Sequence, residues 1–220
     1  MSRAALLVLA DGRFPAGSHA HSGGVEAAVE AGRVHDAGSL ESFCRGRLHT
    51  AGRTAAGLAA AAAYGHDPLA LDTLADARTP SPALRATARR LGRQLMRAAR
   101  AAWPGPELDA LATARPRGAH QPVVLGVTAR AAGLGPADAA HCAVYEAVGG
   151  PATAAVRLLG LDPFEATAVL ARLAPVLDEV ADASVRAARE GPGALPAASG
   201  PLLDIGAEAH AAWPVRLFSS

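Results

Sequence analysis

The chain contains no lysine; each of its 21 basic residues is arginine. A P-loop needs a lysine that reaches the β- and γ-phosphates, and Schiff-base chemistry needs a lysine amine, so both are excluded. Nucleotide hydrolysis, where it bears on this protein, is the work of a partner. The arginine usage itself is explained as readily by GC-rich coding as by a functional demand.

Other shortages narrow the class further. Two cysteines, Cys44 and Cys142, are too few and too far apart for a zinc knuckle or a disulfide framework. Each reads as a small buried hydrophobe in a reducing compartment. Arg45 and Arg47 beside Cys44 could lower its thiol pKa, but the apolar face it occupies favours core. The net charge of +1 lacks the basic excess of a general nucleic-acid binder. No apolar run approaches the roughly 20 residues of a membrane span. Residues 1–10 carry a short apolar run and one arginine but no A-x-A cleavage pattern, so a cytoplasmic protein is expected. There is no G-x-S-x-G elbow, no H-E-x-x-H and no G-x-G-x-x-G after a strand. His and Asp residues occur throughout, but spacing alone cannot assemble a triad from them, and no cofactor is expected.

Aromatic residues are only 4% of a chain that is half apolar, and alanine makes up much of the difference. Alanine ranks first in helix propensity and is depleted in strands, which predicts closely packed helices. At 220 residues the chain suits a single compact all-α domain of about nine or ten helices.

Cap and stop signals divide the chain. Residues 3–10 form a short helix or extended arm. Ser22 is a plausible N-cap for a helix that runs to about Ala31 and stops at Gly32. Asp36 or Ser39 caps the next, with Leu40, Phe43, Cys44, Leu48 and Ala51 at helical spacing. An alanine-rich run over 54–64 closes at Gly65. Asp67-Pro68, Ser81-Pro82 and Asp162-Pro163 each pair a cap with proline at the first helical position. The helix after Ser81 places Leu84, Ala88, Leu91, Leu95, Ala98 and Ala102 inward and should end near Trp103. Its other face carries Arg85, Arg89, Arg93, Arg97 and Arg100 with no acid between them, either a solvated face or a receptor for nucleic acid or another polyanion.

Farther along, the β-branched run after His120 reads as helix from about Pro122, since a lone strand would leave its backbone unpaired. A helix from Pro136 holds Cys142 and Tyr145 inward and is broken by Gly149-Gly150-Pro151. Arg157 then sits in an otherwise apolar helix, where a buried guanidinium needs partners. Pro175 should kink the helix over 163–189. Residues 191–200 turn to Gly, Pro, Ala and Ser, a linker ahead of a short tail with apolar anchors. This divides the chain into a helical unit, 1–190, and a linker with partner-binding tail, 191–220; arm and tail are expected to be held loosely until a partner arrives.

The stretch over 9–28 stands apart. It places Pro15, Gly17, His19, His21, Ser22 and Glu26 in or beside one Gly/Pro-punctuated loop, where function usually sits. His19-x-His21 is the only feature that suggests a metal site, and two imidazoles alone leave an ion such as Ni(II) mostly unprotected.

Five blocks, in order, resemble the urease accessory protein UreF family: this loop, Arg-x-Leu-Gly-Arg-x-Leu over 89–95, the run 120–130, the run 153–161, and the terminus with Asp204-Ile, His210 and Arg216-Leu-Phe. Ala88 and Ala211 depart from the pattern; Ala211 replaces the acid expected after the histidine, so a His/Glu pair is not expected to operate. The resemblance implies a non-catalytic helical protein that dimerises, binds UreD (also called UreH) and recruits the GTPase UreG, so that nickel reaches apo-urease. The partner contacts expected with it are Pro15, Gly17, His19, His21, Ser22, Glu26, Arg157, Asp204, His210, Arg216, Leu217 and Phe218, with a structural role at a helix contact the other reading of Arg157.

Overall fold

A computed structural model describes residues 3–17 and 20–218. Their regular elements are all helical: α1 (Arg3–Ala10), α2 (Val25–Glu30), α3 (Ala37–Arg47), α4 (Arg53–Tyr64), α5 (Pro68–Ala77), α6 (Pro82–Ala102), α7 (Pro106–Ala114), α8 (Gln121–Ala131), α9 (Pro136–Leu159), α10 (Pro163–Glu190) and α11 (Pro201–Ala211). A π-helical turn, Leu48–Gly52, joins α3 to α4 with helical backbone on both sides, so the two segments form one rod and the rods number ten. The all-α expectation holds. Among the described residues no helix is long and apolar enough to cross a membrane.

Alanine decides the packing. α4 lies at the centre against α8, α9 and α10, with everything from Ala56 to Ala63 buried. Side chains this small let backbones approach closely. A Cβ on Gly126 of α8 would stand 2.2 Å from the Ala59 carbonyl oxygen of α4, so this crossing admits only glycine. Around it, Leu40, Leu48, Leu71, Leu108, Leu125 and Leu173 are fully buried, each stabilising the fold by about 1.5–3 kcal/mol.

The caps behave as their chemistry dictates. Asp36 and Ser39 form a reciprocal capping box on α3, and Asp67, Ser81 and Asp162 each accept from the first turn of a helix that starts with proline. Ser22 does not cap α2. That helix starts at Val25 after Gly24, and the buried Ser22 hydroxyl instead accepts from the Glu26 amide at 3.4 Å.

The largest departure is in α9, which runs without a break through Gly149-Gly150-Pro151. Proline has no N–H for the carbonyl four residues back, here Ala147. Arg47 Nε donates to that oxygen at 2.8 Å from the end of α3, so the bond lost to Pro151 is replaced by a side chain 100 residues away. Tyr145 faces outward, 46% exposed, and Cys142 inward. α10 also continues through Pro175, on its exposed side.

The arginine row on α6 meets acids from other elements. Arg89 bridges Asp72 and Asp76 of α5, and Arg100 pairs with Asp109 of α7. Arg85 and Arg93 donate to backbone carbonyls of Thr79 and Arg117. The buried stripe of the helix is Gly92, Leu95, Met96 and Ala99, and Ala102 is exposed. Residues 191–200 lie along the bundle: Leu195 is buried, Thr54 donates to the Ala198 carbonyl at 2.8 Å, and Arg78 reaches that of Pro192. α11 then packs on α6 and α2. The tail expected to be loose is docked in this structure.

Candidate functional site

Glu26 is the residue on which the two ends of the chain meet. Val25 and Ala28 anchor α2 in the core, and this turns Glu26, one residue along, toward α11 in an almost solvent-free position. Its carboxylate accepts from His210 Nε2 at 2.7 Å, from the Leu217 amide at 2.8 Å and from the Phe218 amide at 3.1 Å. Charge-assisted bonds of this kind are roughly twice as strong as neutral ones. A His/Glu pair therefore does operate here, contrary to the expectation drawn from Ala211: its carboxylate comes from α2, not from the residue after the histidine. His210 is 1% exposed and leans on Trp213, with ring centroids 4.7 Å apart.

Phe218, buried once its amide is held by Glu26, lies under the Arg157 guanidinium, 5.1 Å from ring centroid to Cζ. Arg157 is thus exposed and stacked, not buried, and cation–π attraction replaces the carboxylate a buried arginine would need. Arg216 and Leu217, just before Phe218 in the chain, are exposed, and Asp204 is half-buried in the first turn of α11.

Beside this junction lies a groove of about 340 Å³. Leu9 and His21 line it from the first sequence block, Leu91 from the second, Gln121 from the third, Thr153 and Arg157 from the fourth, and Phe218 from the last. All five blocks, scattered over the chain, converge on one groove. His21 is buried, Pro15 is exposed in the preceding turn, Gly17 rests against Gln94 of α6, and His19 lies outside the described residues. Among the described residues no three His, Cys, Asp or Glu side chains gather as a metal site.

Two acids on the groove wall have opposite environments. Burial pushes the Glu146 carboxyl from 4.5 up to about 7, only partly opposed by the hydrogen bond from Gln121 Nε2 at 2.5 Å. Asp11, partly exposed at the rim, is held down at about 2 by the side chain and backbone of Arg13. Burial raises both thiols, Cys44 and Cys142, to about 12, which agrees with their reading as core and not with the activation that Arg45 and Arg47 could have given Cys44.

Sequence reasoning missed Glu146, left Gln121 without a role inside the run 120–130, and read Arg47 only as a neighbour of Cys44. Each reads as an ordinary helix residue, and only the crossing of α3 and α8 with α9 gives them a shared groove.

The comparisons with known proteins agree with this geometry. The sequence model of the UreF family matches residues 34–174. A urease accessory protein UreF of Mycolicibacterium vanbaalenii is 45% identical over 223 residues, covering 100% of this chain and 99% of the relative. The UreF of Mycobacterium sp. strain JLS is 44% identical over 98% of this chain and 97% of its own length. That of Mycobacterium marinum is 43% identical over 99% and 98%. With the match spanning the chain and reaching every block that lines the groove, the protein belongs to the UreF family of urease accessory proteins, a family of helper proteins and not of enzymes.

Proposed function

We propose that this chain acts in the cytoplasm as a scaffold for nickel insertion into urease: it dimerises, binds UreD (UreH) through its C-terminal tail, and holds the GTPase UreG so that nickel, the cargo, passes to apo-urease. The observation that carries this reading is the junction at Glu26. One buried carboxylate fixes the inner side of the tail through His210, Leu217 and Phe218. The outer side then presents Leu202, Ile205, Val215 and Leu217, each more than 60% exposed. Large apolar side chains held in one exposed segment suit association with another protein.

GTP binding or hydrolysis on the partner would drive release, since this chain has no lysine with which to build a P-loop of its own. The loop over 9–26 and the exposed Arg216 and Leu217 are the proposed partner contacts, with Phe218 fastening that end from the inner side.

The test is a pull-down of UreD and UreG by the full-length chain and by a chain lacking residues 201–220, with GTPase turnover measured alongside. The reading predicts loss of UreD from the truncated chain while its helical circular dichroism persists. Retained UreD binding would overturn it.

A further inference from the structure

A second cleft, about 760 Å³ in volume, opens between the middle of α5, the middle of α6 and the loop over 115–118. Its floor is an internally balanced cluster. Asp72, 1% exposed, accepts from Arg115 Nε at 2.7 Å and from Arg89 at 3.3 Å, and Asp76 takes the second Arg89 nitrogen at 2.5 Å. Two guanidinium groups thus offset two carboxylates.

The walls add positive charge that the floor does not match. Arg93 and Arg117 line the cleft, both are exposed, and neither forms a salt bridge among the described residues. The backbone beneath them is tied to α6. Arg93 donates to the Arg117 carbonyl and Arg89 to that of Gly118. Gly118 has φ +94°, and a Cβ there would stand 2.4 Å from the Arg89 carbonyl oxygen, so the loop is pressed flat on α6. Fixed backbone reduces the ordering cost of a bound partner.

We infer that this cleft receives an acidic segment of a partner polypeptide. The guanidinium groups of the floor already hold carboxylates in the geometry such a segment would extend. The helices present their sides and not their N-termini, and Pro116 of the loop has no N–H, so the cleft lacks the converging backbone donors that enclose a phosphate. No aromatic side chain is among its lining residues to stack a base. Spaced arginines along an open trough fit spaced carboxylates. This assignment stands apart from the tail reading, since none of the cleft's lining residues belongs to α11 or the terminus.

The probe is fluorescein-labelled octaglutamate, followed by fluorescence anisotropy with the full-length chain at low salt. Wild-type chain should bind it, more weakly as salt is added. The Arg93→Glu/Arg117→Glu double variant should bind roughly tenfold more weakly. Arg117→Glu alone, which leaves the Arg93 bond to the loop backbone in place, should move in the same direction and guards against misfolding of the double variant. Absence of wild-type binding, or equal binding by the variants, overturns the inference. So does tighter occupation of the same arginines by inorganic pyrophosphate or by a short DNA duplex, which would make the occupant a phosphate polyanion.

Discussion

Nε2 of His210 lies 2.7 Å from Oε2 of Glu26, across 184 residues of chain. The same carboxylate accepts the amides of Leu217 and Phe218, so one side chain in α2 holds both the last helix and the segment after it. Removing it leaves three donors without their charged acceptor, and the cheapest relaxation is for the tail to leave the bundle. Glu26→Ala should lower unfolding free energy by about 2 kcal/mol. It should also raise amide hydrogen exchange over 201–218 well above that of α4 and α9. Unchanged exchange in the tail would show that packing of α11 alone holds it.

Asp72 is the other buried carboxylate on which separate elements depend. It accepts from Arg89 of α6, from Arg115 after α7 and from the His120 amide at 2.8 Å. Losing a charged acceptor from such a cluster costs about 2–3 kcal/mol, since the His120 amide stays buried while Arg89 and Arg115 are partly exposed and Arg89 keeps Asp76. Asp72→Ala is therefore expected to be among the most destabilising single changes, measured as a fall in the urea midpoint. A loss near that of an exposed ion pair would contradict the reading.

Arg47 and Pro151 form a pair that a double-mutant cycle can isolate. Arg47→Met leaves the Ala147 carbonyl without its donor and should cost about 1–3 kcal/mol. In a Pro151→Ala background the helix regains its own N–H for that oxygen, so the same substitution should cost about 1 kcal/mol less. Equal costs in the two backgrounds would remove Arg47 from the explanation of the unbroken α9.

These pairs mark where the sequence stops being legible. Asp36, Asp67, Ser81 and Asp162 announce their helices because a cap acts on the two or three residues that follow it. Gly149-Gly150-Pro151 reads as a break because every local signal says so, and the donor that overrides it comes from another helix. The arginine row on α6 reads as unneutralised for the same reason: Asp72, Asp76 and Asp109 lie on α5 and α7. Among the residues assigned to partner contacts, Glu26, His210, Leu217 and Phe218 share one junction, a grouping drawn from resemblance and not from spacing. Arg157 was legible as an unusual residue but not as an exposed one, since its partner, Phe218, is 61 positions further along the chain.

Glu146 gives the pH dependence its sign. Its folded pKa of about 7 is above the ordinary 4.5, so between these values the native state binds the proton more tightly than the unfolded chain. Its contribution to stability is present at low pH and is lost as pH rises toward and through 7. His120 acts in the opposite direction. Burial lowers its pKa despite the bond to Asp76, so its contribution falls away as the medium becomes acidic. The difference between wild type and Glu146→Gln isolates the carboxyl. The variant should gain on wild type in urea midpoint between about pH 5 and about pH 8. A constant difference across that range would mean Glu146 titrates like an exposed acid.

The central claim is that the solvent face of the tail grips UreD while its inner face stays fastened to Glu26. Its most direct test is UreD binding by a chain with Leu202, Ile205, Val215 and Leu217 all changed to serine, residues whose side chains stand more than 60% exposed. UreD binding should be lost while helical content and urea midpoint stay at wild-type values; full UreD binding by that folded variant would show that the solvent face of the tail is not the grip.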